Sequence, residues 1–258
     1  MTISKISLQR LERNPAEIYP KAVFCGYCKS GTTIITKTFA YCVASPWKNE
    51  VKGLWGISRL IDRDKSLGQF QNQFLKDQRW LNAQQEIRSL PLLKFPEGIL
   101  IIDMFPAQTS VVCIARNPLD TICAYLERQH KFKTLVFSQD EILERAKDWN
   151  YHYLATQNAK RPIVFVKYED FVNHPQMVIN VISHAIKLPL ERAIPEQVNE
   201  QALPYFKYVP EGHEVRGIGR YKLSIKPQEI VKSVLDVCKP ALDYLKTRGI
   251  SFDGIVKK

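Results

Sequence analysis

The stretch from Ala22 to Thr33 reads AVFCGYCKSGTT and continues into IITKTFAYCV, residues 34–43. Four apolar residues open it, glycines at 26 and 31 bracket a short loop, and Ile34, Ile35, Phe39 and Val43 then recur at helical spacing. The reading is strand, loop, helix. In that setting the loop and the first helical turn present unpaired backbone N–H groups at the positive end of the helix dipole. They form a cradle for phosphate oxygens, and Thr32 and Thr33 add hydroxyl donors.

The lysine decides between kinds of cradle. A nucleoside-triphosphate loop of the form G-x-x-x-x-G-K-[ST] carries its lysine directly after the second glycine, where it reaches the β and γ phosphates. Thr32 holds that position here, and Lys29 lies inside the loop, beside the 5′ end of a nucleotide. The apolar run Ser110 to Ala115 leads into Arg116, with no acidic strand end to hold magnesium. A small-molecule kinase of the P-loop type is the lesser enzymatic reading.

Outward from the loop, further apolar runs at Leu90 to Phe95, Ser110 to Ala115 and Pro162 to Lys167 have the continuous character of strands buried on both faces. Helical candidates separate them: Thr33 to Ser45, parts of Ile57 to Arg88, Gly98 to Phe105, Pro118 to His130 and Gln139 to Gln157. The alternation predicts an α/β fold, a mostly parallel central sheet flanked by helices with a P-loop-like phosphate cradle. No repeat or linker divides the chain, so residues 1–258 read as a single domain. Residues 47–88, rich in Gln, Asn, Lys, Arg and Trp, read as a helical cap and a wall for a second substrate. There Trp55 and Trp80 either line that wall or anchor packing. The tail Pro227 to Arg248 has helical periodicity broken at Pro240, which predicts a helix pair.

Three more segments extend the pattern. Ile114-Ala-Arg-Asn-Pro-Leu-Asp120 joins a strand end to a capped helix, with Asn117 at the N-cap, Pro118 at the first position and Asp120 in the first turn. Arg116 is thereby held at the helix mouth, where a guanidinium can grip a phosphate with two bonds. Phe165-Val-Lys-Tyr-Glu-Asp170 follows another strand, and Arg216-Gly-Ile-Gly-Arg-Tyr-Lys222 forms a flexible cationic segment.

Cys28-Lys-Ser-Gly-Thr-Thr33 resembles the 5′-phosphosulfate loop of sulfotransferases that use 3′-phosphoadenosine 5′-phosphosulfate (PAPS), whose usual form is P-K-S-G-T-T, with Cys28 in place of proline. Arg116-Asn-Pro-Leu-Asp120 resembles that family's 3′-phosphate motif, Tyr168-Glu-Asp170 its adenine segment, and Arg216 to Lys222 a shortened form of its closing loop. The four motifs fall in family order over roughly residues 20–250. The resemblance implies PAPS as donor, 3′,5′-adenosine bisphosphate as product, and no metal. Donor contacts then fall to Lys29, Ser30, Gly31, Thr32, Thr33, Arg116, Tyr168, Arg216, Gly217 and Arg220. Two family features are changed: the serine eight residues beyond the arginine is Ala124, and the adenine-stacking tryptophan after the loop is Ile34. Glu169 and Asp170 read as structural.

For chemistry, Lys29 is the residue to stabilise the leaving phosphate oxygen. The family's usual histidine base has no counterpart, since no histidine lies between Phe70 and Arg116. Leu93-Lys-Phe-Pro-Glu97 resembles a strand end found in other branches, so Glu97 is the candidate base and Lys94 an electrostatic helper. His213 is the reserve candidate. A small-molecule acceptor, hydroxyl or amine, is implied, a bacterial natural product among the choices.

Composition bounds the alternatives. The chain has 37 basic and 26 acidic residues, a formal net charge of +11, which calls for an anionic partner. Those charges are spread along the chain without basic runs interleaved with aromatics, so a pocket for a phosphorylated small molecule is preferred over a nucleic-acid or anion-binding module. The six cysteines sit in apolar runs like buried reduced thiols, and Cys25-x-x-Cys28 lacks the second pair a zinc site wants. With no apolar leader at the N-terminus and no membrane-length apolar run, the expected location is the cytoplasm, with no membrane partner. Oligomeric state is not legible.

Overall fold

The structure, a computed structural model, describes residues 21–49, 51, 54, 57, 67–131, 137–194, 221, 225 and 228–253. Strand β1 (Ala22–Cys25) is apolar and wholly buried. It pairs in parallel with β3 (Leu92–Lys94) on one side and β4 (Ser110–Ala115) on the other. Beyond β3 lies β2 (Trp47–Asn49), and beyond β4 lies β5 (Ile163–Lys167). Among the described residues the sheet therefore has five parallel strands in the order β2-β3-β1-β4-β5.

The helices follow in chain order: α1 (Thr32–Cys42), α2 (Leu67–Phe74), α3 (Gln78–Arg88), α4 (Pro118–Gln129), α5 (Gln139–Leu154), α6 (Tyr168–Asn173), α7 (Pro175–Ile186) and α8 (Gln228–Thr247). Successive strand residues point to opposite layers. Phe24, Val112, Ile114 and Val166 pack with Ile35 and Phe39 of α1 and with Val178, Ile179 and Ile182 of α7. Cys25, Val111, Cys113 and Ala115 face the other layer, with Leu119 and Ile122 of α4, Ala146 and Trp149 of α5, and Val234 and Ala241 of α8. This is the predicted α/β sandwich, and its inner strands β1 and β4 are almost wholly apolar because both faces are covered.

The helix after β1 lies on one layer and the helix after β4 on the other. The β1/β4 boundary is thus the topological switch point, where open α/β sheets bind ligands beyond the carboxyl ends of their strands. Both Lys29 and Arg116 follow those two strands.

Two expectations are corrected. Residues 47–49 belong to the central sheet as edge strand β2 rather than to a helical cap; among the described residues the α-helices of that region are α2 and α3. The tail is one helix, not a pair, with Pro240 inside it. A proline there removes one rung and strains the next, but the Ala241 N–H finds the Asn150 Oδ1 of α5 at 3.0 Å, so the helix continues.

Candidate active site

The loop between β1 and α1 is held by contacts that its glycines make possible. Gly26 has φ +145°, and a Cβ there would stand 2.3 Å from the Ile114 carbonyl oxygen of β4. Gly31 has φ +94°, and its Cβ would stand 2.2 Å from Cδ2 of Tyr168. The tyrosine ring thus lies directly on the loop backbone. Between them Lys29 takes a left-handed φ of 73°, a conformation costing about 1 kcal/mol or more for a residue with a Cβ. Its side chain is exposed, and the Ser30 N–H closes the turn on the Tyr27 carbonyl at 3.0 Å.

Gly31 caps α1 without a side-chain hydrogen bond, and no acidic residue occupies the first turn. In α3, α4 and α5, by contrast, Asp77, Asn117 and Ser138 fill that role. The positive end of α1 is left for an external anion. Ser30 Oγ is fully buried there, and Thr32 is buried beside the partly exposed Thr33.

Arg116, at the end of β4, is 7% exposed. Its Nη1 donates to the Lys29 carbonyl at 3.1 Å, and its guanidinium carbon lies 4.7 Å from the centroid of the Tyr168 ring. Lys29, Gly31, Arg116 and Tyr168, drawn from three separate parts of the sequence, are therefore one contiguous cluster. Arg116 thus covers one face of Tyr168, and the ring also lies against Gly31.

The mouth of α4 is braced from several sides. Asn117 Oδ1 caps the Leu119 N–H at 2.9 Å, as predicted, while the Asn117 N–H donates to Glu169 Oε1 at 2.9 Å. Burial raises the Glu169 pKa, and the Asn117 N–H, Arg116 and Lys167 pull it part of the way back. Glu169 ties the end of β4 to the end of β5. Thr121 cannot replace the hydroxyl missing at Ala124, since its Oγ1 donates to the Asn117 carbonyl at 2.7 Å. Fully buried Asp120 accepts the Tyr221 N–H at 3.1 Å, which fixes the chain at Tyr221, inside the cationic segment, to this helix. Arg216, Gly217, Arg220 and the reserve candidate His213 lie outside the described residues.

The third strand end brings Lys94 and Glu97. Lys94 is 7% exposed and its Nζ donates to Asn49 Oδ1 of β2 at 2.8 Å. Sequence reasoning missed Asn49, because a three-residue edge strand carries no legible periodicity. Glu97 is half-buried in the first turn of a 3₁₀ helix, Pro96–Met104. The carbonyl of the preceding Pro96 accepts the Gly26 N–H at 3.1 Å, so Glu97 directly follows a residue bonded to the loop. Trp80 is 2% exposed and packs with Phe74 and Phe105, which makes it an anchor of the neighbouring aromatic cluster.

A parallel sheet with such a cradle at its switch point defines a P-loop-like α/β protein. Residues 20–208 match the family model described as the sulfotransferase domain, and with well over half the chain covered this protein belongs to the sulfotransferase family. Among solved structures, a sulfotransferase from Alicyclobacillus acidocaldarius aligns at a TM-score of 0.52 and 11% identity, over 88% of this chain and 94% of that one. That likeness is one of fold. A sulfotransferase from Mycobacterium avium aligns at a TM-score of 0.48 and 11% identity, over 93% and 80% of the two chains. The sulfotransferase domain from the curacin biosynthetic pathway aligns at 0.47 and 14%, over 90% and 99%. No curated protein matches the sequence significantly. Among the described residues no helix is long and apolar enough to cross a membrane.

Proposed function

We propose that the chain, acting as one domain, moves a sulfuryl group from PAPS to a hydroxyl or amine of a small-molecule acceptor such as a natural product, releasing 3′,5′-adenosine bisphosphate. The observation that carries this reading is the Lys29–Gly31–Arg116–Tyr168 cluster at the switch point, with a buried serine hydroxyl and an uncapped helix N-terminus beside it. That donor set suits two phosphate-type groups at opposite ends of an adenosine. Ser30, Gly31, Thr32 and Thr33 would hold the 5′ end, Arg116 the 3′-phosphate, and Tyr168 the base. Arg216, Gly217 and Arg220 belong to the same proposal as a cationic cover.

The donor supplies an activated sulfuryl group on a phosphate leaving group. Lys29, whose ammonium is exposed at the tip of the loop, places positive charge where the leaving oxygen becomes anionic. Glu97 takes the proton from the acceptor hydroxyl as the acceptor oxygen bonds to sulfur, and Lys94 adds charge near the transferred group. Holding the reactants in line is the rest of the catalysis, as in phosphoryl transfer. No metal is required by this scheme.

Calorimetric titration with 3′,5′-adenosine bisphosphate tests the reading. Wild type binds, and Arg116→Ala weakens binding by roughly 10- to 100-fold, the worth of a charged hydrogen-bonded contact of about 1.5–3 kcal/mol. Failure of wild type to bind, or equal binding by the variant, sinks it.

A further inference from the structure

Where β1 and β4 separate, a side chain stands in for the missing backbone rung. The two strands pair through Cys25 and Cys113. Just past that pair, the Ile114 carbonyl accepts from the hydroxyl of Tyr153 at 2.8 Å, and the Tyr27 N–H makes a longer, weaker contact of 3.4 Å to the Tyr153 hydroxyl oxygen. One phenol thus satisfies an acceptor on β4 and a donor on the loop. Ile114 is two residues before Arg116, and Tyr27 is two residues before Lys29.

Tyr153 sits in the last turn of α5, fully buried, with its ring 4.6 Å from that of Trp149. Burial holds its pKa well above the ordinary value, so the hydroxyl stays a neutral donor and acceptor. Ser30 Oγ stands close enough to pull that pKa back slightly, yet lacks the geometry of a full hydrogen bond. The mount is firm: Asn150 and Thr156, on either side of Tyr153, bond to Ala241 and Tyr244 of α8 at 3.0 Å each. On its other side β4 continues its pairing with β5 through Ala115 and Lys167, so only the β1 side opens.

The geometry points to Tyr153 as a positioning residue: its hydroxyl wedges the ends of β1 and β4 apart and sets the spacing between the Lys29 loop and Arg116. This rests on the proposed donor site. Removing the hydroxyl leaves the Ile114 carbonyl and the Tyr27 N–H without that partner in a water-free place, and the loop must shift to recover one. The device acts on donor binding through the two groups it spaces, the Lys29 loop and Arg116.

Tyr153→Phe keeps the ring against Trp149 and deletes only the hydroxyl. Ser183→Ala is the control, since it removes a half-buried hydroxyl that donates to the Leu188 carbonyl at 2.7 Å at the end of α7 and has no part in the mount of Tyr153. Both variants and wild type are compared by hydrogen exchange over the peptide containing residues 26–33 and by titration with 3′,5′-adenosine bisphosphate. In Tyr153→Phe the loop amides exchange about tenfold faster and the Kd rises about five- to tenfold, with the KM for PAPS following it. In Ser183→Ala the Tm falls and neither loop readout moves. Unchanged loop exchange in Tyr153→Phe overturns the wedge, and faster exchange with unchanged Kd overturns its role in positioning. If wild type fails to bind the nucleotide, the donor-site reading falls instead, and the exchange data alone still decide the wedge.

Discussion

Replacing Gly31 with alanine tests whether the tyrosine after β5 rests on the donor loop. At φ +94° an L-residue costs about 1–2 kcal/mol from backbone sterics alone. The new methyl would also lie 2.2 Å from Tyr168 Cδ2, more than an ångström inside the ~3.5–4.0 Å of optimal carbon contact. Overpacking of this kind costs about 1–3 kcal/mol, so Gly31→Ala should destabilise by about 2–5 kcal/mol. A double-mutant cycle separates the two contributions. In a Tyr168→Ala background the collision disappears while the backbone cost stays, so the effect of Gly31→Ala drops to about 1–2 kcal/mol. Urea denaturation of the four proteins at fixed pH gives the coupling directly, expected at about 1–3 kcal/mol. Additivity to within about 0.5 kcal/mol would mean that the ring does not rest on Gly31, and the clustered site would lose its best-defined contact.

Two other perturbations probe the frame around the site. A carboxyl whose folded pKa is raised, as burial raises that of Glu169, stabilises the fold most below the ordinary glutamate range and loses that contribution as pH rises through the folded pKa. Glu169→Gln keeps an oxygen for the Asn117 N–H, so it should be more stable than wild type at pH 8, with the gap closing below about pH 4; equal urea midpoints at pH 8 refute this. Asn150→Ala strips the Ala241 N–H of its acceptor beside Pro240 and should cost about 1–3 kcal/mol, lowering Tm by roughly 2–4 °C for each. Adding Pro240→Ala should recover much of that loss, and a double variant no better than the single one would show that the proline is not what makes Asn150 matter.

The donor side of the site was legible because its chemistry is contiguous in the chain. Cys28 to Thr33 carries loop, lysine and helix start together, and Arg116-Asn-Pro joins a strand end to a cap. The four long apolar runs likewise gave their strands within a residue or two, since strands buried on both faces need no alternation to be seen. What escaped depends on partners distant in sequence. Trp47–Asn49 is too short to show a period and is a strand only because Leu92–Lys94 lies beside it. Pro240 looks like a helix break until Asn150, ninety-one residues from Ala241, supplies the acceptor. Tyr153 is one more aromatic on an amphipathic helix, and nothing local announces that its hydroxyl reaches both β4 and the loop after β1.

The order β2-β3-β1-β4-β5 also has a consequence for synthesis on the ribosome. The earliest strand among the described residues is the central one, and its two neighbours are encoded at 92–94 and 110–115. At about 5–20 residues per second the AVFC strand waits on the order of several seconds with both edges unpaired, the state in which apolar strands find the wrong chain. The nascent polypeptide therefore depends on shielding early, at the segment that later carries the phosphate loop.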